Sequence, residues 1–319
     1  MSIKQSSHIV EETGSTVENA ETQPINKSFV AELFSLVKIG IINSNVMTTF
    51  AGIWLALYYT DSSITSNWIP GVLVLLGSAL LMAGACTINN YYDRDIDAIM
   101  ERTQSRPTVT GRFSNSFVIA AGVAFTFLGL AMLFSVNATA GVIGLVGWFF
   151  YVVLYTMWSK RRYTLNTVVG SVPGAVPPLI GWAAIDPTLS HPAAWILFMI
   201  MFLWQTPHFL SLAIKKTEDY RKAGIPMLPV VYGFAMTKRQ ILIYMVCLLP
   251  LPFYLASLGT IFLIVATLLN VGWIFLTIYG MRWKDKMKWA TGVFVYSLNY
   301  LTIMVVLMVV VTLPHVLLP

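Results

Sequence analysis

The sequence predicts an all-α bundle of nine membrane-crossing helices with a cytoplasmic N-terminus, and three observations carry that prediction. Only 11% of the 319 residues are charged and 57% are hydrophobic, whereas soluble domains run near 25% charged. Mean hydropathy is +0.72, so the chain is built for lipid. Apolar runs near the length that crosses a bilayer recur almost without a break from residue 39 onward, and the basic residues fall in alternate loops between them.

The first run spans Ile39 to Tyr59 and the second Ile69 to Tyr92, followed by a polar stretch from Asp93 to Phe113. The third, Phe117 to Ser135, and the fourth, Ala140 to Trp158, are separated only by the turn around Asn137. Lys160, Arg161 and Arg162 lead into the fifth, Thr167 to Ile185, and the sixth runs from Ala193 to Ile214. A second polar stretch, Lys215 to Arg239, precedes the seventh, Ile241 to Ser257. The eighth, Thr260 to Tyr279, and the ninth, Ala290 to Leu313, flank a basic loop from Arg282 to Lys288. In the fifth run Pro173, Pro177 and Pro178 with Gly170, Gly174 and Gly181 suggest a kinked helix lining a cavity. Small residues for close helix packing are the competing reading.

With nine runs, all 20 Lys and Arg residues fall on one side, which the positive-inside bias makes the cytoplasm. A miscounted helix would scatter them. The same bias accounts for the +6 net charge, so no nucleic-acid partner is expected. Residues 1–34 are polar and Ser/Thr/Glu-rich with no signal peptide evident, and they read as a disordered cytoplasmic tail before one transmembrane domain over 35–319. A multi-pass protein of a prokaryotic plasma membrane is the expected placement. Cys86 and Cys247 lie inside the runs without ligand spacing and read as packed thiols.

Acids in a membrane protein are costly, so their concentration is informative. Six of the fourteen (Asp93, Asp95, Asp97, Glu101, Glu218 and Asp219) fall in just two inner loops. If the second helix continues, Asn89, Asp93 and Asp97, spaced by four and four, share one face over about 12 Å. Stacked carboxylates repel unless a cation lies between them, and Mg²⁺ binds through one or two carboxylates plus substrate phosphate oxygens. The row therefore predicts a Mg²⁺–diphosphate site at the mouth of the bundle, with Arg102 and Arg106 among the neighbouring counter-charges. Glu218 and Asp219, four runs later, can meet it on the same rim.

Asn89 to Asp97 matches the NxxxDxxxD signature of UbiA-type intramembrane prenyltransferases, and Arg102 to Pro107 resembles the RTxxRP that follows it in that family. Lys160 to Trp182, Trp204 to Ala213 and Asp219 to Val231 resemble the haem-farnesylating branch, the protoheme IX farnesyltransferases. The resemblance covers roughly residues 35 to 313. One departure stands out: where the family has a second DxxxD, Ala223 lies four residues after Asp219 and Lys222 four after Glu218. Asp219 carries over as a metal or diphosphate contact; Glu218 matches less well.

The resemblance implies transfer of a farnesyl group from farnesyl diphosphate to a vinyl group of haem B, with water addition, giving haem O. It implies Asn89, Asp93, Asp97 and Asp219 as Mg²⁺ ligands. Lys160, Arg161 and Arg162, following the fourth run on the same rim as the acids, are expected to hold the diphosphate or the haem propionates, or else to serve topology alone. Tyr155 is expected to stabilise the allylic cation or position the diphosphate. His208, the one histidine inside a run, is expected either to ligate haem iron or contact a propionate, or else to pack beside Pro207. Haem A synthase and terminal oxidase assembly are the implied partners. The rival readings are a quinone- or chlorophyll-pathway prenyltransferase, which shares the first acidic signature, and a transporter or haem carrier. A transporter should carry ionisable residues near the midplane, where this chain has only His208.

Overall fold

The computed structural model describes residues 28–317, and every regular element among them is helical. The expected tail lies outside the described residues up to residue 27. From there the structure departs from expectation, because Phe29–Val37 forms a helix, α1, whose N-terminus is capped by the Ser28 hydroxyl. α1 buries Leu36 and Val37 and exposes Phe29, Val30 and Phe34, the pattern of a helix lying at a membrane interface. Lys38 ends it in the left-handed conformation (φ 57°) and turns the chain into α2, Ile39–Tyr59.

The long elements that follow are α3 (Ile64–Tyr92), α5 (Asn115–Val136), α6 (Ala138–Phe149) continued by a π-helix (Phe150–Ser159), α7 (Asn166–Ala183) and α8 (Pro192–Lys215). After them come α11 (Gly233–Leu248) with a 3₁₀ segment (Leu251–Leu258), α12 (Thr260–Gly280) and α13 (Lys286–Leu317). Three short helices, α4 (Arg94–Ile99), α9 (Thr217–Lys222) and α10 (Leu228–Val231), lie in the two polar stretches. Helices start earlier than the apolar runs suggest. α11 takes in Lys238 and Arg239, and α13 takes in Lys286 and Lys288. Lys238 lies 4.5 Å from the centre of the Trp289 ring and Lys286 5.4 Å from that of Phe234, so these cations sit on aromatic residues at helix ends.

Among the described residues eight helices are long and apolar enough to cross a membrane, against the nine expected from sequence. The one outside that set is α7. Its neighbours explain its composition: it packs against α2, α6, α8 and the π-helix, and most of its residues are buried. A helix walled by protein can carry Asn166, Ser171 and three prolines without presenting them to hydrocarbon. The close approach comes from glycine: a Cβ on Gly52 of α2 would meet the Pro178 carbonyl, and one on Gly181 would meet that of Thr49. Close packing is thus the reading the glycines bear out, while Pro173 and Pro177 also border a small apolar space of about 30 Å³ with Ala85, Trp148, Tyr151 and Val176.

The loop residues gather at two ends. At one, His315 Nε2 is 2.7 Å from Asp61 Oδ1, Tyr58 donates to the Ser257 carbonyl at 3.0 Å, and the Tyr59 and His191 rings lie tilted against each other with centres 4.4 Å apart. At the other lie Lys38, Asn89, Asp93 and Lys160. That second end holds the buried charges.

Candidate active site

α3 stops at Tyr92, and α4 begins beyond Asp93, so the helix does not run unbroken through the acidic row. The register nevertheless survives the break. The Asp93 amide donates to Asn89 O at 2.9 Å and the Asp97 amide to Asp93 O at 2.8 Å, both across four residues. Asn89, Asp93 and Asp97 are accordingly buried together, at 2%, 0% and 1% exposure. Carboxylates so far from water need partners.

Each finds a cation. Lys160 Nζ pairs with Asp93 Oδ2, and Arg106 Nη1 reaches Asp97 Oδ2 at 2.5 Å. Arg161 Nη2 lies 3.5 Å from Asp93 Oδ1 and donates to the Tyr92 carbonyl at 2.9 Å. Asn89 donates to Asp93 Oδ2 at 2.8 Å and to Thr156 Oγ1 at 2.9 Å, and its own oxygen accepts from Lys38 Nζ. Burial pushes the Lys38 ammonium down to about 8. Asp95 is held by both Arg161 amino groups, at 2.6 and 2.7 Å, and that bond keeps its carboxyl below the usual range. Off the acidic face, Asp95 thus still anchors a cation that reaches Asp93.

The π-helix brings Lys160 here. Its amide donates to Tyr155 O, five residues back, at 2.9 Å, and the Thr156 hydroxyl donates to Tyr151 O at 2.8 Å. Wider turns of this kind are rare and concentrate at functional sites. Tyr155 sits on the same segment, its ring centre 5.8 Å from that of Tyr151 and its edge against Gly170 of α7.

The second polar stretch joins the first through an apolar contact, in which Ile96 and Met100 pack with Ala213, Tyr220 and Ile225. Above it Arg102 Nη2 meets the Tyr220 hydroxyl at 3.4 Å. Asp219 buries Oδ2 without a hydrogen bond, Lys216 Nζ standing 3.9 Å away, while Glu218 is exposed and turned to Arg221. Arg162 is exposed and pairs with no acid among the described residues. His208 lies deeper, on α8, with Nδ1 2.7 Å from Ser297 Oγ.

Sequence reading missed Lys38, Thr156 and Tyr220. For Lys38 the only local signal is a lone cation between two apolar runs, which the charge bias already explains. Thr156 carried a signal that went unused, one turn before the Lys160 triplet.

No group of three or more His, Cys, Asp or Glu side chains gathers as a metal cage among the described residues. Mg²⁺ does not require one, because it binds through one or two carboxylates and substrate phosphates and keeps several waters. The buried carboxylates of Asp93 and Asp97 are hard oxygens of the kind such an ion takes, and Asp219 Oδ2 has no hydrogen-bond partner among the described residues.

A bundle of apolar helices that buries carboxylates and cations side by side at one end defines an intramembrane enzyme for an anionic substrate. The UbiA prenyltransferase family model matches residues 45–313, and the chain belongs to that family. It is 59% identical over 281 residues to the protoheme IX farnesyltransferase of Bacillus mycoides (strain KBAB4), covering 88% of this chain and 92% of that one. With the protein of the same name from Bacillus cereus (strain G9842) it shares 57% over 295 residues, covering 92% and 96%. Among solved structures, a digeranylgeranylglyceryl phosphate synthase superposes with a TM-score of 0.69 at 19% identity over 88% of this chain and 97% of that one. A UbiA homologue from Archaeoglobus fulgidus bound to DMAPP and Mg²⁺ gives 0.60 at 18% identity, over 88% and 99%. At these identities the structures share the fold.

Proposed function

We infer that the chain transfers the farnesyl group of farnesyl diphosphate to a vinyl group of haem B (protohaem IX), with addition of water, giving haem O and diphosphate. The observation that carries the chemistry is the buried row of Asn89, Asp93 and Asp97 matched to Lys38, Lys160, Arg161 and Arg106. The substrate pair follows from relatives at 57–59% identity.

Asp93, Asp97, Asn89 and Asp219 would hold Mg²⁺ with the diphosphate, and bound there it neutralises the charge that builds on the leaving oxygens. When the allylic C1–O bond breaks, its electron pair stays with diphosphate, which Lys160, Arg161, Arg102 and Arg106 receive. Tyr155 stands beside them to steady the cation. The vinyl π pair bonds to C1, the new cation beside the pyrrole takes water, and the proton leaves to the medium. Apolar side chains along α7, Val176, Pro177 and Ile180 among them, would shield the cation from bulk water.

The same reading makes α7 a ninth crossing within a single domain over 35–319, the N-terminus cytoplasmic and the bilayer a plasma membrane. Arg162 would serve topology or an arriving propionate. Product would pass to haem A synthase and terminal oxidase assembly. Purified protein in detergent with haem B, farnesyl diphosphate and Mg²⁺ should yield haem O by mass spectrometry. A prenylated quinone precursor instead would transfer the reading to the rival branch, and no product with any divalent ion would overturn it.

A further inference from the structure

The proposed activity leaves open how haem is gripped, and the surroundings of His208 decide it. Its ring lies between Trp204 (centres 5.0 Å apart, 21° between planes) and Phe294 (4.7 Å, 29°). Trp204 is itself tied to α13, its Nε1 donating to Ser297 O at 3.0 Å. Ser297 Oγ also lies 2.5 Å from the Phe294 carbonyl, which has no hydrogen to give. The single hydroxyl hydrogen therefore goes to that carbonyl, and Oγ can only accept from the imidazole. Nδ1 carries the proton, and Nε2 keeps its lone pair.

An acceptor nitrogen repels a propionate but suits iron. For Nε2 no partner is found among the described residues, and the side chain is only partly buried. A ring N–H fixed by an oxygen is the support that metal-ligating histidines use: it sets the tautomer, orients the ring and raises basicity. Lys215 lies seven residues on, on the same face of α8 and about 10 Å nearer the rim. Its Nζ stands 5.1 Å from the centre of the Phe294 ring, so a cation and an iron ligand border one aromatic surface.

We propose that His208 Nε2, aimed by Ser297 Oγ, binds the iron of haem B while Lys215 takes a propionate. The site holds the macrocycle with its acidic edge toward the rim. This rests on haem B being the acceptor. Ser297 is a positioning residue here and touches no reacting atom.

The test is resonance Raman spectroscopy of the purified full-length protein with ferrous haem B and no farnesyl diphosphate. Wild type should show an iron–histidine stretch. His208→Ala should lose it and regain it with added imidazole, which also shows the variant is folded. Ser297→Ala keeps the backbone acceptor for Trp204, so the fold should persist; the stretch should shift and haem affinity fall by roughly tenfold or more. Lys215→Gln should weaken haem B binding but leave binding of the haem dimethyl ester unchanged. A wild-type spectrum in His208→Ala, an unmoved band in Ser297→Ala, or equal loss of the diester in Lys215→Gln would overturn the assignment. Haem O formation by wild type alongside any of these leaves the activity standing; an intact iron–histidine band without haem O removes the activity alone.

Discussion

Asp93 and Asp97 each accept a cation while almost wholly out of water, and that pairing determines how substitution acts. Changing either to Asn keeps shape but removes a hard anionic oxygen and leaves Lys160 or Arg106 without its partner. Because charge builds as the C–O bond breaks, kcat should fall by about 10² or more for each, with haem binding little changed. Asp95→Asn should cost far less: its pair with Arg161 is largely solvated, and Arg161 retains Asp93 and the Tyr92 carbonyl. Steady-state kinetics of the three variants across a Mg²⁺ titration checks this. Equal losses at all three would remove the distinction between the buried row and its flank.

The element that governs the site is the π-helix at Phe150–Ser159, which presents Thr156 to Asn89 and Lys160 to Asp93. Deleting Val153 should shift the register of everything after it relative to Tyr151, moving Thr156 off Asn89 and Lys160 off Asp93. Membrane insertion should be kept and activity should drop by about 10² or more, measured by haem O formation against the amount of protein extracted. Full activity in the deletion would separate the π-helix from the site. Nothing in the apolar run from Ala140 to Trp158 announces this element, because hydropathy is blind to hydrogen-bond register. Asn89, Asp93 and Asp97 were legible since a spacing of four survives a break when the amide bonds still span it. Lys38 was not, because its partner Asn89 is 51 residues away and meets it through a left-handed residue that spacing cannot foresee.

At the scale of the whole molecule, eight of the nine runs are helices of crossing length, and α7, the fifth run, is the one whose crossing stays to be tested. Reporter fusions at Asp61 and Asp186 should both report the outer side and one at Arg162 the inner side. An inner signal at Asp186 would remove α7 from the crossing helices and return the count to eight. The pole that carries Asp61 and His315 has a mechanical consequence. α2 and α13 are joined there by Trp54 Nε1 on Thr312 Oγ1 at 2.8 Å and by the Asp61–His315 pair, and no side-chain hydrogen bond joins α2 to α13 nearer the opposite pole among the described residues. The seam is pinned like the closed end of a pair of tongs. Parting of α2 from α13 wide enough for a disc as broad as a porphyrin would pivot at that pinned end and open widest toward the end where Lys38 and Lys215 stand.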